Sequence, residues 1–344
     1  VIKADFTVRG YNIGAVDGTA FVTGGSGFIG GRLIERLIAE GRAVRALARS
    51  DDAAARVAEL GAEPVRGELG DRASLAAGAA GADLAFHLAA HLGDWGSWAD
   101  FERDNVEGTE NALAACAEAG VRRFVHCGTE AALMAGRPLV EVDESAPLRP
   151  DSPAAYPATK ARAELAVRRA NGAELETLSV RPRFVWGKGD TTLLPALVSM
   201  VEKGQFAWVG GGRNLTDTTH VDNIVAGLLV AAERGRAGES YFVTDGDRVV
   251  FREFVTAMLA TQGVEPPDRS LPAWTATPLA RISEAAWRLL PLPGAPPMTT
   301  FRAWLLTQEC TIDISKARAE LGYEPVVSRE EGLAELRETA SEAA

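Results

Sequence analysis

The sequence predicts an α/β protein: a doubly wound parallel sheet followed by a smaller, partly interleaved C-terminal domain. From Thr19 onward, short β-rich runs alternate with Ala/Leu/Arg-rich segments of helical period. Glycines close several of those segments, and the alternation breaks down after Pro182. A chain of 344 residues, 47% hydrophobic and 24% charged, is large enough for one big globular unit or two modest domains.

Strands are expected at Thr19–Thr23, Ala43–Ala48, Glu63–Arg66, Leu84–Leu88, Arg123–Cys127 and Glu176–Arg181. Helices are expected at Phe28–Glu40, Ala53–Leu60, Ala73–Ala79, Asp104–Ala119 and Pro157–Asn171, with Gly41, Gly61 and Gly120 where helix-ending glycines belong. Residues 1–18 precede the first strand and read as an appended arm. Residues 19–188 hold the sheet. Residues 189–344 read as mainly a second domain, because Gly210-Gly211-Gly212 marks a turn and eight prolines crowd 266–297. Segments near 220–232 and 311–336 regain regular character and are expected to pack back on the sheet.

Charge and cysteine usage narrow the class. A net charge of -11 opposes phosphate backbones and anionic membranes, so nucleic acid is not an expected partner. Cys116, Cys127 and Cys310 are odd in number and form no C-x-x-C pair, which suggests neither a disulfide framework nor a metal knuckle and fits a reducing cytoplasm. No apolar run reaches the roughly 18 to 20 residues of a membrane span. The start, Val1 to Gly18, carries Lys3, Asp5, Arg9 and Asp17 without the apolar core of a signal peptide.

The segment from Ala20 to Gly30 joins an apolar strand, a glycine turn and an amphipathic helix. Glycine suits a sharp turn off the strand, close approach to a pyrophosphate, and tight helix-on-sheet packing. Gly24, Gly27 and Gly30 are spaced for those tasks, with Phe28 and Ile29 opening the helix between them. Gly25, Gly27 and Gly30 fit as well, which leaves the register open. Free N–H groups and the helix dipole at that end favour an anion, so a dinucleotide is expected. At the end of the second strand, Ala48 stands where an NAD site usually carries an acid. Arg49 and Ser50 follow, a cation and a hydroxyl suited to a 2′-phosphate, so NADP is favoured, with NAD also admissible.

Tyr156 and Lys160 are four residues apart at the start of a helical segment and therefore share a face. Pro157 disfavours helical geometry at Tyr156, which places the tyrosine at the helix entrance and Lys160 in the first full turn. An ammonium beside a phenol lowers its pKa from about 10 toward a range useful for proton transfer.

With these pieces in place, the sequence resembles the extended short-chain dehydrogenase/reductase superfamily of NAD-dependent epimerase/dehydratase type. Within it, the likeness is to the 3β-hydroxysteroid dehydrogenase-like group. Besides the glycine loop and the Tyr156/Lys160 pair, the resemblance rests on Phe86-His87-Leu88-Ala89-Ala90, on Asn105 to Thr109, on Arg181-Pro182-Arg183-Phe184-Val185-Trp186-Gly187, on His220-Val221-Asp222-Asn223 and on Asp313 to Arg318. It implies that Thr129 completes a triad with Tyr156 and Lys160. It also implies that Glu68 and Leu69 hold the adenine, Ala89 and Ala90 lie along the dinucleotide, and Pro182 and Val185 grip the nicotinamide amide. Asn105 is implied to be a structural or relay residue, and His220 and Asp222 to be structural.

The chemistry implied is hydride exchange between nicotinamide and a ketone or secondary alcohol, with Tyr156 as acid or base, Lys160 on the ribose and Thr129 orienting the oxygen. Dehydration is disfavoured because only one acid, Glu130, follows Thr129. The substrate is expected to be largely apolar, of steroid, terpenoid or alkyl type, because Leu271–Leu306 brings Trp274, Trp287, Phe301 and Trp304 together among Leu, Ala and Pro. Two alternatives stand beside this reading. A nucleotide-sugar epimerase would use Arg213 or Arg302 on a diphosphate, and a non-catalytic dinucleotide sensor would bind without turnover. Expected partners are a small-molecule substrate and, at most, a second copy of the chain in a homodimer.

Overall fold

Strands that are apolar on both faces must be covered on both faces, and the chain meets that demand by alternating them with helices. The computed structural model describes residues 18–290 and 292–343, so the expected arm, 1–18, lies outside the described residues except for Gly18. One sheet contains β1 (Thr19–Thr23), β2 (Ala43–Ala48), β3 (Glu63–Arg66), β4 (Leu84–His87), β5 (Arg123–Cys127), β6 (Glu176–Arg181) and β7 (Ser240–Phe242). Their order is β7-β6-β5-β4-β1-β2-β3, and every pairing is parallel. The order reverses between β1 and β4, which opens a crevice beyond the carboxyl ends of those strands. The first six strands lie where the sequence places them. The seventh is new: three residues carry no readable alternation.

Strand periodicity sorts the core. Phe21, Ala85 and Phe124 face α3 (Arg72–Ala79), α4 (Gly108–Glu118) and α5 (Ala155–Ala170), meeting Leu75, Ala112 and Val167. Their strand neighbours Val22, Phe86 and Val125 point the other way, toward Leu33 and Ile34 of α1 (Phe28–Ala39) and Ile224 and Leu228 of α6 (Val221–Arg234). The short α2 (Asp51–Glu59) lies beside β2 and β3. Among the described residues, no helix is long and apolar enough to cross a membrane.

Two helices differ from expectation. The stretch expected as one helix from Asp104 begins earlier, at Trp98–Phe101, and widens to i→i+5 hydrogen bonding over Glu102–Glu107 before α4. That wider turn aims Asn105 at the loop after β4, where its amide oxygen accepts from His91 N (2.6 Å). Helix α5 starts at Ala155, so Tyr156 lies inside it. Pro157 is then the third helical residue, where the N–H has no intrahelical acceptor and its loss costs nothing.

The C-terminal part of the chain is tied back through one carboxylate. Asp245, just beyond β7, accepts from Thr218 Oγ1 (2.7 Å), His220 N (2.5 Å), Asn223 Nδ2 (2.7 Å) and the Trp186 indole (2.9 Å). Asn223 in turn accepts from Val326 N and Val327 N, linking the start of α6 to the chain's last quarter. Asp245→Ala strands four donors at once. It should lower stability by about 3 to 5 kcal/mol, seen as a Tm drop in calorimetry; a loss below about 1 kcal/mol would show that water replaces the carboxylate.

Candidate active site

The glycine loop is shaped by contacts that exclude a Cβ. Gly24 takes φ +76°, and a Cβ there would stand 2.6 Å from Ala89 N; at Gly30 it would stand 2.1 Å from the Gly24 carbonyl. Gly27 is the N-cap of α1, and the first turn of that helix holds no acidic residue. Backbone crowding distinguishes Gly24 and Gly30, whereas at Gly25 the crowding comes from side chains, Ile34 nearest. The unpaired N–H groups of a helix start, with no acid in its first turn, suit an anion.

Beyond this loop lies a cleft of about 760 Å³. Gly24, Gly27 and Arg49 line one part of it, and Glu68, Leu69, Ala89 and Ala90 another. Seven of the residues expected to bind cofactor thus share one cavity, whose cradle a Cβ would fill and whose rim carries a cation. These features fit a dinucleotide. Other expected residues point elsewhere. Ser50 caps α2 by accepting from Ala53 N (3.2 Å), Ile29 and Val185 pack against the core, and Phe28 sits against Gly189. Pro182 is buried, and its carbonyl accepts from Glu130 N.

Under the cleft runs a row of polar side chains, one per strand. Thr23, His87, His126 and Ser179 are register neighbours across β1, β4, β5 and β6. Hydrogen-bond accounting assigns the protons. Thr109 donates to the Asn105 carbonyl (2.6 Å) and therefore accepts from His87 Nε2 (3.0 Å), which leaves His87 Nδ1 to accept from Thr23 (2.8 Å). Burial drives the His87 pKa down to about 3, with the Lys160 charge adding to it. The same two causes hold His126 well below its ordinary value. Both imidazoles are neutral.

Lys160, 5% exposed, donates to the Cys127 carbonyl (3.1 Å) and approaches His126 Nε2 at 3.4 Å. His126 Nδ1 is then the protonated nitrogen, 3.2 Å from Ser179 Oγ. Burial lowers the lysine's pKa against the opposing pull of Cys127 and Glu164. The Tyr156 phenol lies the other way: burial pushes its pKa up, the Glu130 charge adds, and hydrogen bonding with Thr129 opposes. The lowered phenol expected from the sequence is not what the protein alone imposes, because the ammonium is turned to Cys127.

Thr129 does meet Tyr156, but its hydroxyl donates to Glu130 Oε2 (2.8 Å). The other Glu130 oxygen takes Arg183 Nη1 at 2.6 Å, and Arg183 Nε reaches Thr216 at 2.8 Å. Both charged residues are at most 4% exposed. Asn105 Nδ2 bonds Thr159 (3.1 Å), beside Lys160 on α5. His220 caps α6, and Asp222 holds Arg32 through both oxygens. The histidine row and the Glu130–Arg183 pair were not singled out as a site from the sequence. The available signals were the matched positions of His87 and His126 at two strand ends and the paired arginines around Pro182.

Of the four aromatics expected around a substrate, Phe301 faces Tyr156, with ring centroids 5.6 Å apart, and Trp304 abuts Gly136. Trp287 donates to the Pro293 carbonyl (3.3 Å), and Trp274 is 78% exposed.

Comparison with known proteins agrees with this geometry. Residues 21–273 match the 3-beta hydroxysteroid dehydrogenase/isomerase family. The chain is 47% identical to a 4-hydroxy-2-methyl-3-oxo-4-farnesyl-3,4-dihydroquinoline-1-oxide ketoreductase of Stigmatella aurantiaca, over 92% of this chain and 95% of the relative. It is 38% identical to a 2-alkyl-3-oxoalkanoate reductase of Stenotrophomonas maltophilia, over 93% and 98%. A dTDP-glucose 4,6-dehydratase of Streptomyces venezuelae, solved as a double mutant with NAD bound, superposes with TM-score 0.73 at 25% identity, covering 94% of this chain and 97% of that one. The chain is an NAD(P)-dependent dehydrogenase/reductase of the extended short-chain type, and it belongs to the 3-beta hydroxysteroid dehydrogenase/isomerase family.

Proposed function

We propose that the protein exchanges a hydride between NADP and a ketone or secondary alcohol on a largely apolar skeleton, of steroid, terpenoid or alkyl type, with Tyr156 as the proton donor or acceptor. The observation that carries this reading is the phenol set against the Phe301 ring, an apolar wall at the acid. Relatives whose names specify a farnesylated quinoline oxide and an alkyl oxoalkanoate support it. In this reading residues 19–188 hold the dinucleotide, and 189–344, apart from the segments that return to the sheet, shape the substrate site.

When bound, the nicotinamide supplies or takes the hydride. The chain's own residues do the rest. Tyr156, kept protonated by burial and by Glu130, hands its proton to the carbonyl oxygen. Lys160 would hold the ribose. Thr129 orients the oxygen by turning its hydrogen from Glu130 to the substrate. The epimerase alternative loses a supporting cation, since Arg302 is committed to Asp94 (2.8 Å).

Turnover and competitive binding of a hydroxysteroid, a 3-oxoalkanoate and a UDP-sugar under identical conditions test the substrate class. Net cofactor turnover with one of the first two is expected; a clear preference for the UDP-sugar would overturn the reading.

Tyr156→Phe should retain cofactor affinity while kcat falls roughly 10²- to 10⁴-fold, as expected for loss of the proton donor. Lys160→Ala should impair both. Near wild-type kcat in Tyr156→Phe would remove the tyrosine from the mechanism.

Arg49 at the cleft rim is expected to set cofactor choice. Arg49→Ala should weaken NADPH by about ten- to hundredfold, the loss of one charge-assisted contact, and leave NADH unchanged. Titration of both cofactors against both proteins checks this; equal affinities, unmoved by the substitution, would exclude the role.

A further inference from the structure

Helix α7 (Ala276–Leu289) buries one face and exposes another, and both are apolar. Ala276, Ala280 and Ser283 are buried, and Glu284 caps the neighbouring α8 (Thr300–Thr307) by accepting from Thr300 N (2.7 Å) and Oγ1 (2.9 Å). At 100° per residue, Ile282, Ala285 and Leu289 fall on the opposite side, with Leu279 and the half-buried Ala286 on its flank, as one stripe. Ile282 is 69% exposed and Leu289 82%, and Trp274 and Leu290 at the two ends are 78% and 54% exposed. Arg281 and Arg288, seven residues apart, run along one edge of that stripe. An exposed apolar stripe of this kind marks an interaction surface.

Its charge says what kind. The chain carries a net charge of -11, yet Leu271–Leu306 holds a single carboxylate, Glu284, turned inward to Thr300, and, besides the Asp94-bound Arg302, two arginines, Arg281 and Arg288. Screening confines each charge's influence to about 8–10 Å, so a bilayer touching this face meets the arginines rather than the net charge. The inhibition of anionic membranes expected from net charge therefore does not extend to this face.

The position of the stripe is also informative. Arg288 lies over the ring of Trp95, in the loop that follows the dinucleotide-lining residues after β4. Helix α7 packs on α8, whose Phe301 touches Tyr156. The helix that carries the apolar, cation-edged face is thus separated from Tyr156 by one helix, α8.

We propose that the outer face of α7, with Ile282 and Leu289 as apolar anchors and Arg281 and Arg288 as lipid-headgroup contacts, docks the protein on an anionic lipid bilayer. The helix would lie in the interface plane with its stripe among the acyl chains. Docking itself is independent of the substrate. Joined to the proposed function, it brings Tyr156 to the surface where an apolar ketone is dissolved.

The test is co-sedimentation of the full chain with vesicles of phosphatidylcholine, alone or with added phosphatidylglycerol. Binding to the anionic vesicles is expected, weakening as salt rises. Arg281→Gln/Arg288→Gln should reduce it roughly thirtyfold, about 1 kcal/mol per arginine. Ile282→Glu/Leu289→Glu should abolish it, with Tm and turnover of a water-soluble ketone unchanged because both side chains are exposed. A wild-type chain that stays in the supernatant, or a glutamate variant that binds as wild type does, would overturn the proposal. So would a dimer in sedimentation velocity that the glutamate variant dissolves, which assigns the face to a second copy of the chain. Vesicle binding without turnover of any ketone would leave the surface standing and refute the proposed function instead.

Discussion

Burying an ammonium at the end of a central strand is the constraint around which this site is organised. Desolvating Lys160 costs several kcal/mol unless its protons find acceptors, and among the described residues no carboxylate is hydrogen-bonded to it. The Cys127 carbonyl takes one proton, and His126 faces another with a bare Nε2. That nitrogen is bare only because Nδ1 carries the hydrogen toward Ser179, and Ser179 stands there only in the observed register of β5 on β6. A slip of one residue would turn His126 to the opposite face of the sheet. Strand pairing and the electrostatics of the site are therefore one requirement.

A second buried charge pair joins the centre to the C-terminal half. Arg183 reaches Glu130 on one side and Thr216 on the other, while its backbone N–H donates to Thr219 (3.0 Å). Phe184, next in sequence, holds a φ of 38°, rarely adopted by a bulky residue, with the guanidinium over its ring at 4.3 Å. The pair also settles the standing of Glu130. A carboxylate engaged by an arginine and a threonine hydroxyl is poorly suited to act as a free base, consistent with hydride transfer rather than elimination.

Much of this was legible in the sequence, for identifiable reasons. The six longer strands and the glycine loop announce themselves through local patterns: alternation, a glycine spacing that only close backbone approach requires, and a strand before a helix. What could not be read depends on partners distant in the chain. Strand β7 is three residues long and becomes a strand only by pairing with β6. The tyrosine's surroundings depend on Glu130, on Thr129 and on where Lys160 turns, none of which spacing reveals. Trp274 and Phe301 look alike as aromatics in an apolar stretch, yet one faces solvent and the other the phenol, because helix faces are assigned by packing.

The way the chain returns to its own sheet has an evolutionary corollary. Strand β7 completes one edge, α6 covers the face of β5, and Ser315–Leu321 packs against both α6 and β7, so the C-terminal half shares the core of the first half. By contrast, the described residues of 265–308 contribute no strand to the main sheet. Descent can rewrite the exposed part of that stretch, lengthening a helix or exchanging Trp274, without disturbing the hydrogen bonds that align the strands, whereas Phe301 and Trp304 belong to the shared core. Diversity among relatives should accordingly accumulate there, as new entrances grafted onto an unaltered chassis, while the returning segments stay yoked to the sheet they help to build.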